Sequence, residues 1–148
     1  MKRTLIMGIG NLLLSDDGLG VHAAKALSAK PLPAYVQVLD VGTAFLDALP
    51  FLEDAERIII IDAFQAKGRP GTLYSLRLEQ CAPKPMHGLH DFDIFGMLAM
   101  AKNPNPVQVW VLGIEPARIG WGLELSPQVS KALPALLQAV YEKIETMT

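Results

Sequence analysis

Apolar runs that have the length of β-strands alternate along this chain with segments of helical periodicity. The strand-like runs cover residues 4–9, 36–41, 57–61, 72–78 and 107–114. Residues 58–61 are four consecutive isoleucines, a β-branched run with no polar partner. Such a run is typical of a central strand in a parallel sheet that is covered on both faces.

Three of the helical segments lie between these runs. The first covers residues 21–27, where Val21, Ala24 and Leu27 share one face. The second follows Thr43, which is a candidate N-cap. The third begins near Asp91, whose negative charge suits the positive end of a helix.

A fourth helix is predicted at the end of the chain. It begins at Ser126, a candidate N-cap, with Pro127 at the first helical position. Pro134 falls within its apolar face, Val129, Leu133, Leu136, Leu137, Val140 and Ile144. Because proline removes a helical hydrogen bond, we expect a kink or two shorter helices.

The alternation of strands and helices predicts a three-layer α/β/α sandwich, with a mostly parallel, twisted sheet of about five strands and helices on both faces. Residues 72–78 follow strand 57–61 after a turn-rich segment that is too short for a helical crossover. We therefore expect this run to pair antiparallel or to lie at an edge. The length of 148 residues suits one domain covering residues 1–148.

Composition and charge exclude several classes of protein. The net charge is −2 and no basic stripe indicates a nucleic-acid partner. No apolar run reaches the roughly 18–20 residues that cross a bilayer, and the N-terminus lacks a signal-peptide pattern. The single cysteine, Cys81, excludes an internal disulfide and a cysteine-rich zinc site. We expect a cytoplasmic monomer with no membrane or nucleic-acid partner.

The most informative stretch is Gly8-Ile9-Gly10-Asn11 and the following Ser15-Asp16-Asp17-Gly18. A glycine-rich turn between a strand and a helix usually binds phosphate, but two adjacent carboxylates favour a cation. The third glycine of the dinucleotide fingerprint falls on Leu13, so that match fails. We therefore expect no bound nucleotide.

Several polar residues fall at the predicted carboxyl ends of the strands, where α/β sheets bind ligands. They are Asp16, Asp17, Asp40 and Asp62, with His87 and His90 in a later loop. Asp62 has the strongest physical argument, because a carboxylate after a buried apolar strand needs compensation for its charge. A hydrogen bond to the following turn would be the ordinary structural alternative.

The roles of the two adjacent aspartates stay open at this point. We expect one of Asp16 and Asp17 to cap the following helix and the other to bind a ligand. His90 is a candidate ligand beside the strand-end carboxylates, with His87 as its alternative, whereas His22 lies within a helix and suits a structural role. Two carboxylates and an imidazole suit a borderline divalent transition metal.

These motifs together resemble the nickel–iron hydrogenase maturation endopeptidases. The resemblance rests on the glycine-rich turn, then Ile61-Asp62-Ala63, Pro70-Gly71-Thr72 and His90-Asp91-Phe92-Asp93. It continues in Leu112-Gly113-Ile114-Glu115-Pro116 and Gly122-Leu123-Glu124-Leu125-Ser126. The ordered set covers nearly the whole chain.

The resemblance implies a small α/β protease that removes the C-terminal extension of a hydrogenase large-subunit precursor after nickel insertion. It implies that Asp17, Asp62 and His90 contact the nickel, which the substrate supplies, and serve as the catalytic residues of an aspartic-type endopeptidase. Many members have glutamate at the position of Asp17, so the carboxylate is kept on a shorter side chain.

Three other functions remain alternatives at this stage. The same ligands would serve a non-enzymatic module that binds or checks a nickel site. A nucleotide-binding α/β domain would use the glycine-rich turn of residues 8–18, called the first turn below, with Mg²⁺ beside the aspartates. A protease of the same architecture could also act on another protein.

Overall fold

The computed structural model of the chain describes residues 2–81, 94–101, 103 and 106–147. Its five-stranded sheet has the strand order β2-β1-β3-β5-β4. The strands are β1 (Thr4–Ile9), β2 (Val36–Gly42), β3 (Arg57–Ala63), β4 (Leu73–Arg77) and β5 (Gln108–Ile114). All five lie where the apolar runs predicted them, with ends that differ by at most two residues.

The sheet is parallel except at one edge. β1 pairs in parallel with both β2 and β3, and β3 pairs in parallel with β5. β4 pairs antiparallel with β5 and is an edge strand. The predicted mostly parallel sheet is confirmed, and its carboxyl ends bring the residues after β1, β3 and β5 to one side of the molecule.

Five α-helices belong to the described part of the chain: α1 (Leu19–Ser28), α2 (Leu49–Leu52), α3 (Leu78–Cys81), α4 (Ile94–Met100) and α5 (Pro127–Thr146). A 3-10 turn, Ser15–Gly18, precedes α1, and a second, Phe45–Ala48, precedes α2. No described helix is both long enough and apolar enough to cross a membrane.

The proposed cap at Thr43 is wrong. The 3-10 turn before α2 begins after Ala44, and no side chain caps it. Backbone carbonyl and amide groups form its hydrogen bonds instead. The predicted beginning of the third helix near Asp91 lies outside the described residues, and α4 is described from Ile94 onward.

α5 is one helix of 20 residues, so the alternative of two shorter helices is wrong. Ser126 caps it as predicted, since its hydroxyl accepts a hydrogen bond from the Val129 N–H. Pro134 deprives the Ser130 carbonyl of its helical donor. Both residues are exposed, so water can satisfy that carbonyl and the helix continues.

The two faces of the sheet are covered by separate hydrophobic clusters. Ile58 and Ile60 belong to the cluster that includes Met97 of α4, whereas Ile59 and Ile61 pack with the cluster that includes Leu136 of α5. Successive side chains of a strand point to opposite faces, so the four isoleucines fill both layers. All four are fully buried, which confirms β3 as a central strand of an α/β/α sandwich.

Candidate functional site

Asp62 lies near the carboxyl end of β3 and is completely buried. The backbone N–H of Ala63 donates a hydrogen bond of 2.8 Å to its Oδ1 atom. This bond to the next residue is the ordinary structural role that the sequence also allowed for Asp62, a hydrogen bond to the following turn. It also fixes the carboxyl group at the edge of the sheet where a ligand would bind.

Gly10 brings the first turn close to Asp62. Its φ of +133° belongs to a region that L side chains rarely adopt. A Cβ atom on Gly10 would collide with the carbonyl oxygen of Asp17 and would lie 3.4 Å from Oδ1 of Asp62. The main-chain carbonyl of Asp17 and the side chain of Asp62 therefore approach each other across a position that favours glycine.

The Asp17 side chain contacts the backbone at the beginning of the first turn. The backbone N–H of Asn11 donates a 3.1 Å hydrogen bond to its Oδ2 atom, and the residue is half-buried. Since Asn11 follows Gly10 directly, the carboxylates of Asp17 and Asp62 both lie beside the Gly10–Asn11 backbone. The structure thus gathers two of the three predicted site residues.

Asp16 points to a different part of the molecule. It is fully buried, and its Oδ2 atom accepts hydrogen bonds from the backbone N–H groups of Ala117 and Arg118 and from the Ser126 hydroxyl. Its Oδ1 atom accepts one from the Ser126 N–H. The expectation that one aspartate caps the helix is wrong, because neither the 3-10 turn nor α1 has a side-chain cap.

The remaining sequence candidates are distributed differently. Asp40 is exposed within β2, beside Gly8 in the register of the sheet. His22 is half-buried in α1, and its Nε2 atom lies 3.2 Å from the Leu123 carbonyl oxygen, which suits a structural role. His87 and His90 lie outside the described residues. Within the described ranges, no group of three or more histidine, cysteine, aspartate or glutamate side chains could hold a metal ion.

Glu115 was not predicted as part of this region. It follows β5 directly and is buried, and its Oε1 atom accepts hydrogen bonds from the N–H groups of Ala66 and Gly68 and from the Tyr74 hydroxyl. Burial and this hydrogen bond to Glu115 raise the pKa of Tyr74. Glu115 thereby holds the segment that follows Asp62, and a glutamate directly after an apolar strand was the signal that could have indicated it.

Exposed apolar side chains lie beside the first turn, and we call Leu13, Trp121 and Leu123 the apolar rim. Their exposed fractions are 51%, 76% and 60%. The N–H of Gly122 donates to the Leu13 carbonyl oxygen, and the N–H of Ser15 donates to the Gly122 carbonyl oxygen. The rim is therefore presented on a backbone that is bonded to the turn carrying Asp17.

Cys81 offers no reactive thiol. It is buried in the short helix α3, and burial, with a smaller contribution from the charge of Glu79, raises its pKa. Because the thiolate is the nucleophilic form, this environment disfavours attack by sulfur.

Comparison with known proteins identifies the family. Residues 21–143 match the family model described as hydrogenase maturation protease. The chain is 35% identical to the hydrogenase expression/formation protein HupD of Rhodobacter capsulatus, over 95% of this chain and 71% of that protein. It is 30% identical to the hydrogenase 2 maturation protease of Escherichia coli K12, over 93% and 88% of the two chains.

The fold agrees with these sequence matches. The solved structure of the hydrogenase maturating endopeptidase HybD from E. coli superposes with a TM-score of 0.84 at 29% identity, and the match covers 98% of this chain and 94% of that one. Protease relatives favour an enzyme over a non-enzymatic module or a nucleotide-binding domain. The chain therefore belongs to the hydrogenase maturation protease family and is an endopeptidase of that family.

Proposed function

We propose that this protein removes the C-terminal extension of a nickel–iron hydrogenase large-subunit precursor after nickel insertion, and that the bound nickel is its recognition element. The placement of the Asp17 carboxylate on the Asn11 N–H, with the Asp62 carboxylate beside Gly10, carries the proposal. Two carboxylates at the carboxyl ends of β1 and β3 form a negatively charged edge that suits a cation presented by a substrate.

In this proposal Asp17, Asp62 and His90 contact the substrate's nickel. Carboxylate oxygen and imidazole nitrogen are suitable ligands for a borderline divalent metal. The bonds from Asn11 to Asp17 and from Ala63 to Asp62 orient one oxygen of each carboxylate, so that little side-chain freedom is lost on binding. Nickel belongs to the substrate here, and we propose no resident cofactor and no nucleotide.

The hydrolytic step is assigned to the same residues. A carboxylate of Asp17 or Asp62 can accept a proton from the attacking water, or the metal can polarise the scissile carbonyl group. The two routes share the requirement for both carboxylates beside the metal. An aspartic-type or metal-assisted reaction agrees with the burial of Cys81 and the raised pKa of its thiol, which disfavour a covalent cysteine intermediate.

The apolar rim is assigned to contact with the precursor. Trp121 is exposed while the residues on either side of it are hydrogen-bonded through their backbones to the first turn. An aromatic side chain on a well-held backbone offers a large apolar surface to a partner, and such residues dominate many interfaces. We propose that a single copy of the chain binds the precursor in the cytoplasm.

Mass spectrometry of a nickel-loaded large-subunit precursor, before and after incubation with this protein, tests the proposal. We expect the mass to fall by that of the C-terminal extension. The nickel-free precursor is the matched control and should keep its full mass. Cleavage of both forms at the same rate would contradict nickel recognition, and cleavage of neither would contradict the proposed substrate.

A further inference from the structure

We propose that Asp16 is a positioning residue, whose buried carboxylate holds the turn Ser15–Gly18 in the orientation that directs Asp17 toward Asp62. This inference rests on the proposed function and adds to it a residue that touches neither substrate nor metal. All the hydrogen bonds found for the Asp16 side chain lead away from the site, to residues more than 100 positions later in the chain.

The contacts of Asp16 need a carboxylate in particular. Three donors converge on Oδ2, from Ala117, Arg118 and Ser126, and the Ser126 N–H donates to Oδ1. An asparagine has the same shape but offers one acceptor oxygen and an NH₂ group. In either orientation, the NH₂ group would face at least one donor, and a buried donor would lose its partner.

The backbone at Ser15 shows that this turn is held in an otherwise unfavourable conformation. Ser15 has a φ of 53°, in the left-handed region that non-glycine residues seldom adopt. Its N–H donates to the Gly122 carbonyl oxygen at 2.8 Å, and its hydroxyl donates to the Gly120 carbonyl oxygen at 2.7 Å. Such a conformation persists where surrounding contacts determine it, and it is concentrated at functional sites.

The same contacts reach Asp17 through the main chain. The Asp16 N–H donates to the Arg118 carbonyl oxygen, and the Asp17 N–H donates to that of Leu14. A rotation of the turn would therefore move the Asp17 carboxylate relative to Asp62. A displacement of about 1 Å in a catalytic group can lower a rate by about 10²-fold, even when the substitution lies outside the reacting groups.

The test compares Asp16→Asn with the matched control Thr4→Val. The Thr4 hydroxyl accepts a buried hydrogen bond from Arg57 Nε at the amino end of the sheet, far along β1 and β3 from the site. Both variants lose a buried polar contact, but of these two residues only Asp16 is bonded to segment 117–126. Cleavage of the nickel-loaded precursor is measured at a temperature where circular dichroism shows that both variants are folded.

We expect kcat of Asp16→Asn to fall by about 10²-fold while KM stays close to that of the wild type, and Thr4→Val to keep the wild-type kcat. An unchanged kcat for Asp16→Asn, a change in KM alone, or an equal loss of kcat in Thr4→Val would overturn the inference. If Asp16→Asn does not fold, Ser126→Ala replaces it, because it removes one donor to Oδ2 and keeps the Ser126 N–H. Since it also removes the cap of α5, its kcat is measured where circular dichroism shows that it is folded. That variant should show a smaller loss in kcat, and an unchanged kcat would overturn the inference.

The wild-type reaction separates this inference from the proposed function. Cleavage by the wild-type protein with an unaffected Asp16→Asn rejects the positioning role alone. Failure of the wild-type protein to cleave the nickel-loaded precursor rejects the proposed function, together with the inference that rests on it.

Discussion

The Oδ1 atom of Asp62 lies 3.4 Å from the point that a Cβ atom on Gly10 would occupy. The carbonyl oxygen of Asp17 lies still closer to that point. The first turn can therefore approach β3 only because residue 10 has no side chain, and the distance from the Asp17 main chain to the Asp62 side chain depends on this glycine.

Gly10→Ala should destabilise the protein and slow cleavage. The new methyl group would meet the Asp17 carbonyl oxygen, and the φ of +133° is unfavourable for alanine. We expect a loss of about 1–3 kcal/mol in the free energy of unfolding, measured by denaturant titration. Gly120→Ala is the control, because a Cβ there meets only the flexible Arg118 side chain, at 3.5 Å. Equal stability of the two variants would contradict the close approach at Gly10.

Asp17→Asn and Asp62→Asn should each nearly abolish cleavage of the nickel-loaded precursor. The substitution keeps the size of the side chain but removes the negative charge that would bind the metal or accept a proton. We expect the rate to fall by about 10²–10⁴-fold, and His90→Ala to fall comparably. Asp40→Asn, an exposed aspartate in the neighbouring strand β2, should cleave at the wild-type rate. Wild-type rates in the three site variants would reject the site assignment.

Trp121→Ala should weaken binding of the precursor without affecting the fold. The side chain is 76% exposed, so its removal costs little in the free energy of unfolding. An aromatic contact residue of this kind contributes about 1–2 kcal/mol to binding, which corresponds to a rise in KM of about 5–30-fold. Phe51→Ala is the control, since Phe51 is partly exposed beside Arg3 and Thr4 at the amino end of the sheet. A KM unchanged in Trp121→Ala would exclude the rim as a docking surface.

The Tyr74 hydroxyl should titrate above the ordinary range of tyrosine. Burial and the hydrogen bond to Glu115 raise its pKa in the folded protein, relative to about 10 in the unfolded chain. The neutral hydroxyl therefore contributes stability that is fully present below pH 10 and is lost as the pH rises through the folded pKa. We expect tyrosinate absorbance to show this late titration in the wild-type protein and not in Tyr74→Phe. A difference between the two that titrates at or below pH 10 would contradict the bond to Glu115.

Much of the fold follows from local patterns in the sequence. The four isoleucines of β3 can be buried on alternate faces only if both sides of the sheet are covered, and the structure places them in two clusters. The short turn-rich segment before residue 72 excludes a helical crossover, and β4 is indeed antiparallel at the edge. These features depend on periodicity and loop length, which neighbouring residues determine.

The candidate site was predicted less completely, because its contacts join residues that are far apart in the chain. The position of Asp62 after an apolar strand was sufficient to identify it as a candidate. The position of Glu115 after an apolar strand could likewise have marked it, but its contact with Tyr74 depends on the pairing of β4 with β5, which only the fold shows. The position of His90, which lies outside the described residues, stays a prediction from the sequence.

The α/β architecture, the central strand and the presence of acidic residues at the carboxyl end of the sheet follow from the pattern of residues alone. That pattern left open whether Asp16 or Asp17 faces that edge, since both are aspartates in one turn with the same local surroundings. Only the tertiary structure separated them: the chain returns at residues 117–126 and presents donors to Asp16, whereas Asp17 is bonded beside Gly10. A buried carboxylate is directed by the donors that satisfy it, and here those donors come from the opposite end of the chain.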